Sequence, residues 1–197
     1  ENSGDTSIIN EVDFKLKEIL TTFLGNMKNG LATTFTNSCH WNFYDWSPLL
    51  DGYIPDCEKG KIDEMASLLL LYALRSYKKI CELCALSFEY ENIINELSIN
   101  IKREFYSKER GIILTKDKGI ELANALAVLT EATSIEESKK ICELLTQGDL
   151  ISCSLSMKCF VYDALLKVDK EKYKSFVLDD IKKNYTPMLK TKTVWET

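Results

Sequence analysis

The sequence predicts an all-α protein assembled from helical hairpins that together form part of a ring. Three observations predict it. Only 8 glycines and 3 prolines punctuate 197 residues, which favours long helices over a strand-rich sandwich. Apolar residues recur at three-and-four spacing along most of the chain. Segments apolar on nearly every face alternate with segments that carry one apolar stripe, the pattern of inner helices paired with outer ones.

The leading helix is read over residues 5–28, where Ile8, Ile9, Val12, Leu16, Ile19, Leu20, Phe23, Leu24 and Met27 keep helical spacing. Asn29-Gly30 is read as its stop, Gly30 suiting the left-handed position beyond a helix end. Residues 31–62 lack periodicity and are read as a long loop holding Trp41 and Trp46. Residues 63–86 form the first inner helix, with Met65 to Leu74 apolar almost throughout, and 88–106 its outer partner. The pair repeats at 120–130 and 134–146, the latter opening on a Ser134-x-x-Glu137 capping box. It repeats again at 154–167 and 170–185. Three hairpins thus follow one leading helix in a single domain, and a closed ring would use such a set as one arc.

Charge and composition exclude several classes of function. Lys+Arg 25 against Asp+Glu 30 gives a net charge of −5, so no basic field awaits a nucleic-acid backbone. No apolar run approaches the roughly 20 residues that span a bilayer. The seven cysteines fall mostly within apolar helical patterns and are read as free thiols of a reducing, cytoplasmic compartment. Cys81-x-x-Cys84 lies mid-helix without a second ligand pair, so core packing is the reading. His40 is the sole imidazole, which excludes a His-based triad or a His-rich metal site within the chain. No glycine-rich phosphate loop occurs, and neither a cofactor nor a metal is expected. The lysines of 170–183 alternate with acids as on a solvated helix face. The first residues show neither a basic leader nor an initiating Met, and the chain is read as an excised piece.

The connections are unequal. Those inside hairpins are short, whereas those between hairpins (31–62, 107–119, 147–153 and the tail from 186) carry all three tryptophans, the histidine and all three prolines. Links of the second kind emerge at one end of a ring, so one face is elaborated, and elaborated loops on a rigid scaffold are where sites sit. Indoles and carboxylates gathered at a concave mouth suit a sugar, stacking on its C–H surface and accepting from its hydroxyls.

Four segments, in order, are His40-Trp41-Asn42-Phe43-Tyr44-Asp45-Trp46-Ser47-Pro48, Leu122-Ala123-Asn124-Ala125-Leu126-Ala127-Val128-Leu129, Cys153 to Lys158 with Tyr162-Asp163-Ala164-Leu165-Leu166, and Thr193-Val194-Trp195-Glu196-Thr197. Together they resemble the later part of the catalytic barrel of the α-L-rhamnosidase family, a six-hairpin (α/α) toroid. The resemblance implies an inverting hydrolysis of terminal α-L-rhamnosides. It implies Glu196 as general base, and Asp45, Trp46 and Trp195 as substrate contacts. The general acid it implies comes from an acidic cluster for which this chain has no match, so the fragment is expected to be catalytically silent alone. Where the family has a Gly-bearing turn before Trp-Glu, this chain has Lys190-Thr191-Lys192-Thr193-Val194. The alternatives are a non-catalytic helical carbohydrate-binding or interaction module, and a hydrolase of the same architecture for another sugar. An arc also leaves inner helices such as 63–86 and 120–130 without partners on its open side, from which self-association through that side, or a rearranged bundle, is expected.

Overall fold

A computed structural model describes residues 5–37, 41–52 and 58–193, and these form the expected all-α arrangement. In order, α1 spans Ser7–Leu24, α2 Glu64–Leu83, α3 Glu91–Phe105, α4 Glu121–Leu129, α5 Ile135–Gln147 and α6 Lys158–Tyr185. α4 is central. It packs on α2, α5 and α6, while α2 also meets α1 and α3. Every residue from Glu121 to Val128 is buried, as an inner helix requires. α3 and α5 bury single stripes, Ile94-Leu97-Ile101 and Ile141-Cys142-Leu145. α6 is two helices joined at Asp169, whose φ of −158° and ψ of 95° break it between an inner first half and an exposed, lysine-rich second half. The break falls on the link that the hairpin pattern demands.

Several boundaries differ from expectation for physical reasons. α1 ends at Leu24, and Met27–Lys28 pairs antiparallel with Leu31–Ala32 as β1 and β2. Asn29 and Gly30, with φ of 55° and 73°, are the two central residues of a tight hairpin turn rather than a helix stop. A Cβ on Gly30 would sit 2.2 Å from the Asn100 amide nitrogen, and that amide donates to the carbonyls of Asn29 and Gly30. α3 begins at Glu91, not near 88. Residues 107–119, read as one of the long links between hairpins, belong with Tyr106 to a small sheet of Tyr106–Ser107 (β3), Ile112–Thr115 (β4) and Lys118–Gly119 (β5). Its second turn places Lys116 and Asp117 at positive φ without any glycine, so the usual sequence signal is missing. The capping box at Ser134 and Glu137 forms as expected, and α5 ends on Gly148 in the left-handed region.

The three inner helices start at one end of the molecule, and one buried amide fixes the sheet to that end. Asn124 of α4 accepts from the Ile113 N–H and donates to the carbonyls of Ile113 and Ile120. The apolar gap expected beside α4 does not open, because α2, α5, α6 and β4 cover that helix. The middle of α2 does keep an open side, where Ala73 and Ser76 are exposed.

Replacing Asn124 by Leu keeps the branched shape but strands the buried Ile113 N–H and removes a donor from the Ile113 carbonyl, while the Ile120 carbonyl keeps the Asn124 backbone N–H. We expect a loss of about 3 kcal/mol in urea unfolding, against under about 0.5 kcal/mol for Ile135→Ser on the exposed face of α5.

Candidate functional site

The face at the start of the inner helices is built on two buried carboxylates. Asp45 lies in the loop before α2, where the amides of Tyr44 and Asp45 both donate to the Leu50 carbonyl and the Leu50 N–H donates back to the Ser47 carbonyl. This tight loop presents the Asp45 side chain to Ser154, just ahead of α6. The Ser154 amide donates to Oδ2 at 2.8 Å and its hydroxyl to Oδ1. Glu121, the first residue of α4, accepts from the Cys153 amide at 3.1 Å and from Lys158 Nζ at 2.6 Å. The segment from 152 to 158 is therefore held from two sides by carboxylates that are 76 positions apart in sequence and almost wholly buried.

Burial alone would lower the Lys158 pKa, but the Glu121 carboxylate outweighs it and holds the ammonium charged. The Cys153 thiol is pushed far upward by burial and by Glu121, which leaves it an inert packing group. Among the described residues no three His, Cys, Asp or Glu side chains converge as metal ligands.

The Asp45 loop carries an aromatic cluster. Trp41, Phe43 and Trp46 meet with ring centroids 4.6 to 6.0 Å apart, Trp46 edge-on to both others. Trp46 is 47% exposed and Trp41 63%, so an indole face remains open to solvent beside a fixed loop. Gly52, at φ +81°, lies under Trp41, where a Cβ would stand 2.0 Å from the indole nitrogen. Of the residues expected from sequence, Trp46 is on this surface. Asp45 is 1% exposed and spends its carboxylate on Ser154. Trp195 and Glu196, with His40, lie outside the described residues.

A second constellation escaped the sequence reading. Behind the loop a cavity of about 90 Å³ is lined by Tyr44, Asp63, Glu64, Thr115 and Lys116 among others. Asp63 caps α2 by accepting from the Ala66 amide, and Glu64 follows it into the protein interior. Burial, and then the neighbouring Asp63 charge, push the Glu64 pKa up to about 7, while Thr115 and Lys116 act in the opposite sense. Asp63 is itself raised, first by burial, and the Tyr44 phenol facing it is raised for the same reason. The only trace in the sequence is an acidic pair ahead of an apolar helix, which reads as an ordinary helix start.

No protein-family model and no curated protein matches the sequence. Solved structures do match. A rhamnosidase of family GH78 from Bacillus sp. GL1 is similar over 98% of this chain, with a TM-score of 0.76 and 22% identity, and the match takes in 21% of that chain. A rhamnosidase from Klebsiella oxytoca, with rhamnose bound, is similar over 94% of this chain at a TM-score of 0.73 and 15% identity, taking in 35% of that chain. The fold is thus that of a portion of these rhamnosidases, and this chain spans about a fifth to a third of their length.

Because the Glu64 pKa is higher folded than unfolded, the native state holds its proton more tightly. The contribution of Glu64 to stability is then greatest below the unfolded value of 4.5 and falls as pH rises through about 7. The loss is of the order of 3 kcal/mol, and Asp63 shifts in the same sense. In Glu64→Gln the urea midpoint should lose most of its decline between pH 4.5 and 7.

Proposed function

We propose that this chain is part of an inverting glycoside hydrolase that releases terminal α-L-rhamnose, to which it contributes the general base and one wall of the sugar pocket. The observation that carries the reading is an anchored, open aromatic loop on a fold shared with two rhamnosidases over nearly the whole chain. In an inverting reaction one carboxylic acid protonates the departing glycosidic oxygen. A carboxylate some 6.5–9.5 Å away takes a proton from the water that attacks the opposite face of the sugar. Glu196 is assigned the second role, and the proton donor is contributed from outside these 197 residues.

Trp46 and Trp195 are assigned to the sugar. An indole face covers the apolar side of a deoxyhexose, whose methyl group and axial C–H bonds prefer it to water. Asp45 serves the same pocket through its loop. With its carboxylate bound to Ser154 it fixes the height and tilt of Trp46, and a sugar contact by Asp45 itself would require that segment to yield. Trp41 and Phe43 pack against Trp46. Cytoplasmic residence is proposed with this activity, on the strength of the free cysteines. Among the described residues no helix is long and apolar enough to cross a membrane.

Titration with L-rhamnose, followed by tryptophan fluorescence and calorimetry, tests the reading. We expect weak binding that Trp46→Ala reduces about tenfold or more, a loss of roughly 1.4 kcal/mol, and no release of the aryl group from an aryl α-L-rhamnoside by the chain alone. Absence of rhamnose binding would overturn the sugar assignment. Turnover by the chain alone that Glu196→Gln abolishes would overturn the external proton donor.

A further inference from the structure

The Asp45 carboxylate is buried, yet its hydrogen bonding reaches the surface through two hydroxyls. The Ser154 hydroxyl donates to Oδ1, and the same Ser154 Oγ lies 2.8 Å from Oγ of Ser156, which is exposed. The backbone around this pair is fixed as well. The Ser154 amide donates to Asp45 Oδ2 and its carbonyl accepts from the Met157 amide at 3.0 Å, while the Leu155 carbonyl accepts from the Tyr185 hydroxyl. Ser156 therefore ends a chain of two hydrogen bonds that begins at the residue just before Trp46.

The supply of hydrogens decides which way each hydroxyl points. A serine hydroxyl has one hydrogen and two lone pairs, whereas a carboxylate accepts only. The Ser154 hydrogen must lie toward Asp45, which leaves Ser154 Oγ nothing but lone pairs to present to Ser156. Two hydroxyl oxygens 2.8 Å apart need a hydrogen between them, and Ser156 alone can supply it. Its one hydrogen is thereby committed inward, and the side chain meets solvent with lone pairs only. Donation toward a carboxylate through Ser154 also makes Ser156 Oγ a stronger acceptor, because hydrogen bonds in series polarise one another. An ordinary surface serine rotates to suit donors and acceptors alike. Ser156 selects donors.

We infer that Ser156 is a specificity-determining contact of the sugar pocket, an acceptor that takes a hydrogen bond from one sugar hydroxyl and rejects groups unable to donate. The inference rests on the sugar reading above, and it gives Asp45 a part in recognition without displacing Ser154. The probes are methyl α-L-rhamnoside and its analogues in which the hydroxyl at C2, C3 or C4 is replaced by hydrogen or by fluorine, titrated by NMR and tryptophan fluorescence. At one of the three positions both replacements should weaken binding about tenfold, since fluorine, like hydrogen on carbon, donates nothing. Ser156→Ala should weaken binding of the parent glycoside by the same factor and binding of those two analogues no further. Ser156 is exposed, so this variant keeps the urea midpoint of the unmodified chain. Binding that Trp46→Ala reduces but Ser156→Ala does not would overturn the inference and leave the sugar reading standing. A fluorine analogue that keeps its affinity where the hydrogen analogue loses it would overturn the inference as well, because the serine would then be donating. Absence of any binding would overturn the reading and the inference together.

Discussion

A carboxylate drawn into a protein interior must find donors there, and in this molecule Asp45 and Glu121 find them on the same short segment ahead of α6. That shared demand joins three parts of the chain that have no reason to meet through helix propensity alone: the loop before α2, the first turn of α4 and the entry to α6. Removing either acid would leave buried N–H and hydroxyl groups, or the Lys158 ammonium, without a counterpart. The inner helices supply the apolar mass of the domain. The two acids determine how its working face is joined.

The exposed indole of Trp46 gains its meaning from this joinery. An aromatic ring on a mobile loop offers area but little selectivity, since ordering it upon binding consumes part of the interaction. Here the ring stands on a loop closed by three backbone hydrogen bonds and fastened to Ser154. Glu64 and Asp63 lie directly behind that loop and retain protons more strongly than ordinary carboxyls. The same end of the molecule is therefore both tied by buried carboxylates and sensitive to pH.

Much of this architecture is legible in the residues. Apolar periodicity locates the six α-helices of the described residues, and the Ser134 box and the hairpin break at Val168-Asp169 lie where the sequence puts them. What is not legible follows from contacts made far along the chain. Asn29-Gly30 suits either a helix end or a hairpin turn, and the choice rests on Asn100, 70 residues beyond Gly30. Lys116-Asp117 is a turn at positive φ without a glycine, at the end of a strand that Asn124 fixes at Ile113. The resemblance makes Asp45 a substrate contact, and its burial against Ser154 is not legible because that partner lies 109 positions further on. The carboxyl pair at 63 and 64 is hidden for the opposite reason, since acids belong at helix starts and nothing local reveals that this start is buried.

The joint between Asp45 and Ser154 is open to one direct measurement, amide hydrogen exchange of Asp45→Ala beside the unmodified chain. If the two acids hold the face together, residues 41–52 and 152–158 lose protection together, by about tenfold or more, while α3 and α5 exchange as before. Loss confined to 41–52, with 152–158 unchanged, would mean that the segment before α6 is held without Asp45, and the account of this face would be wrong.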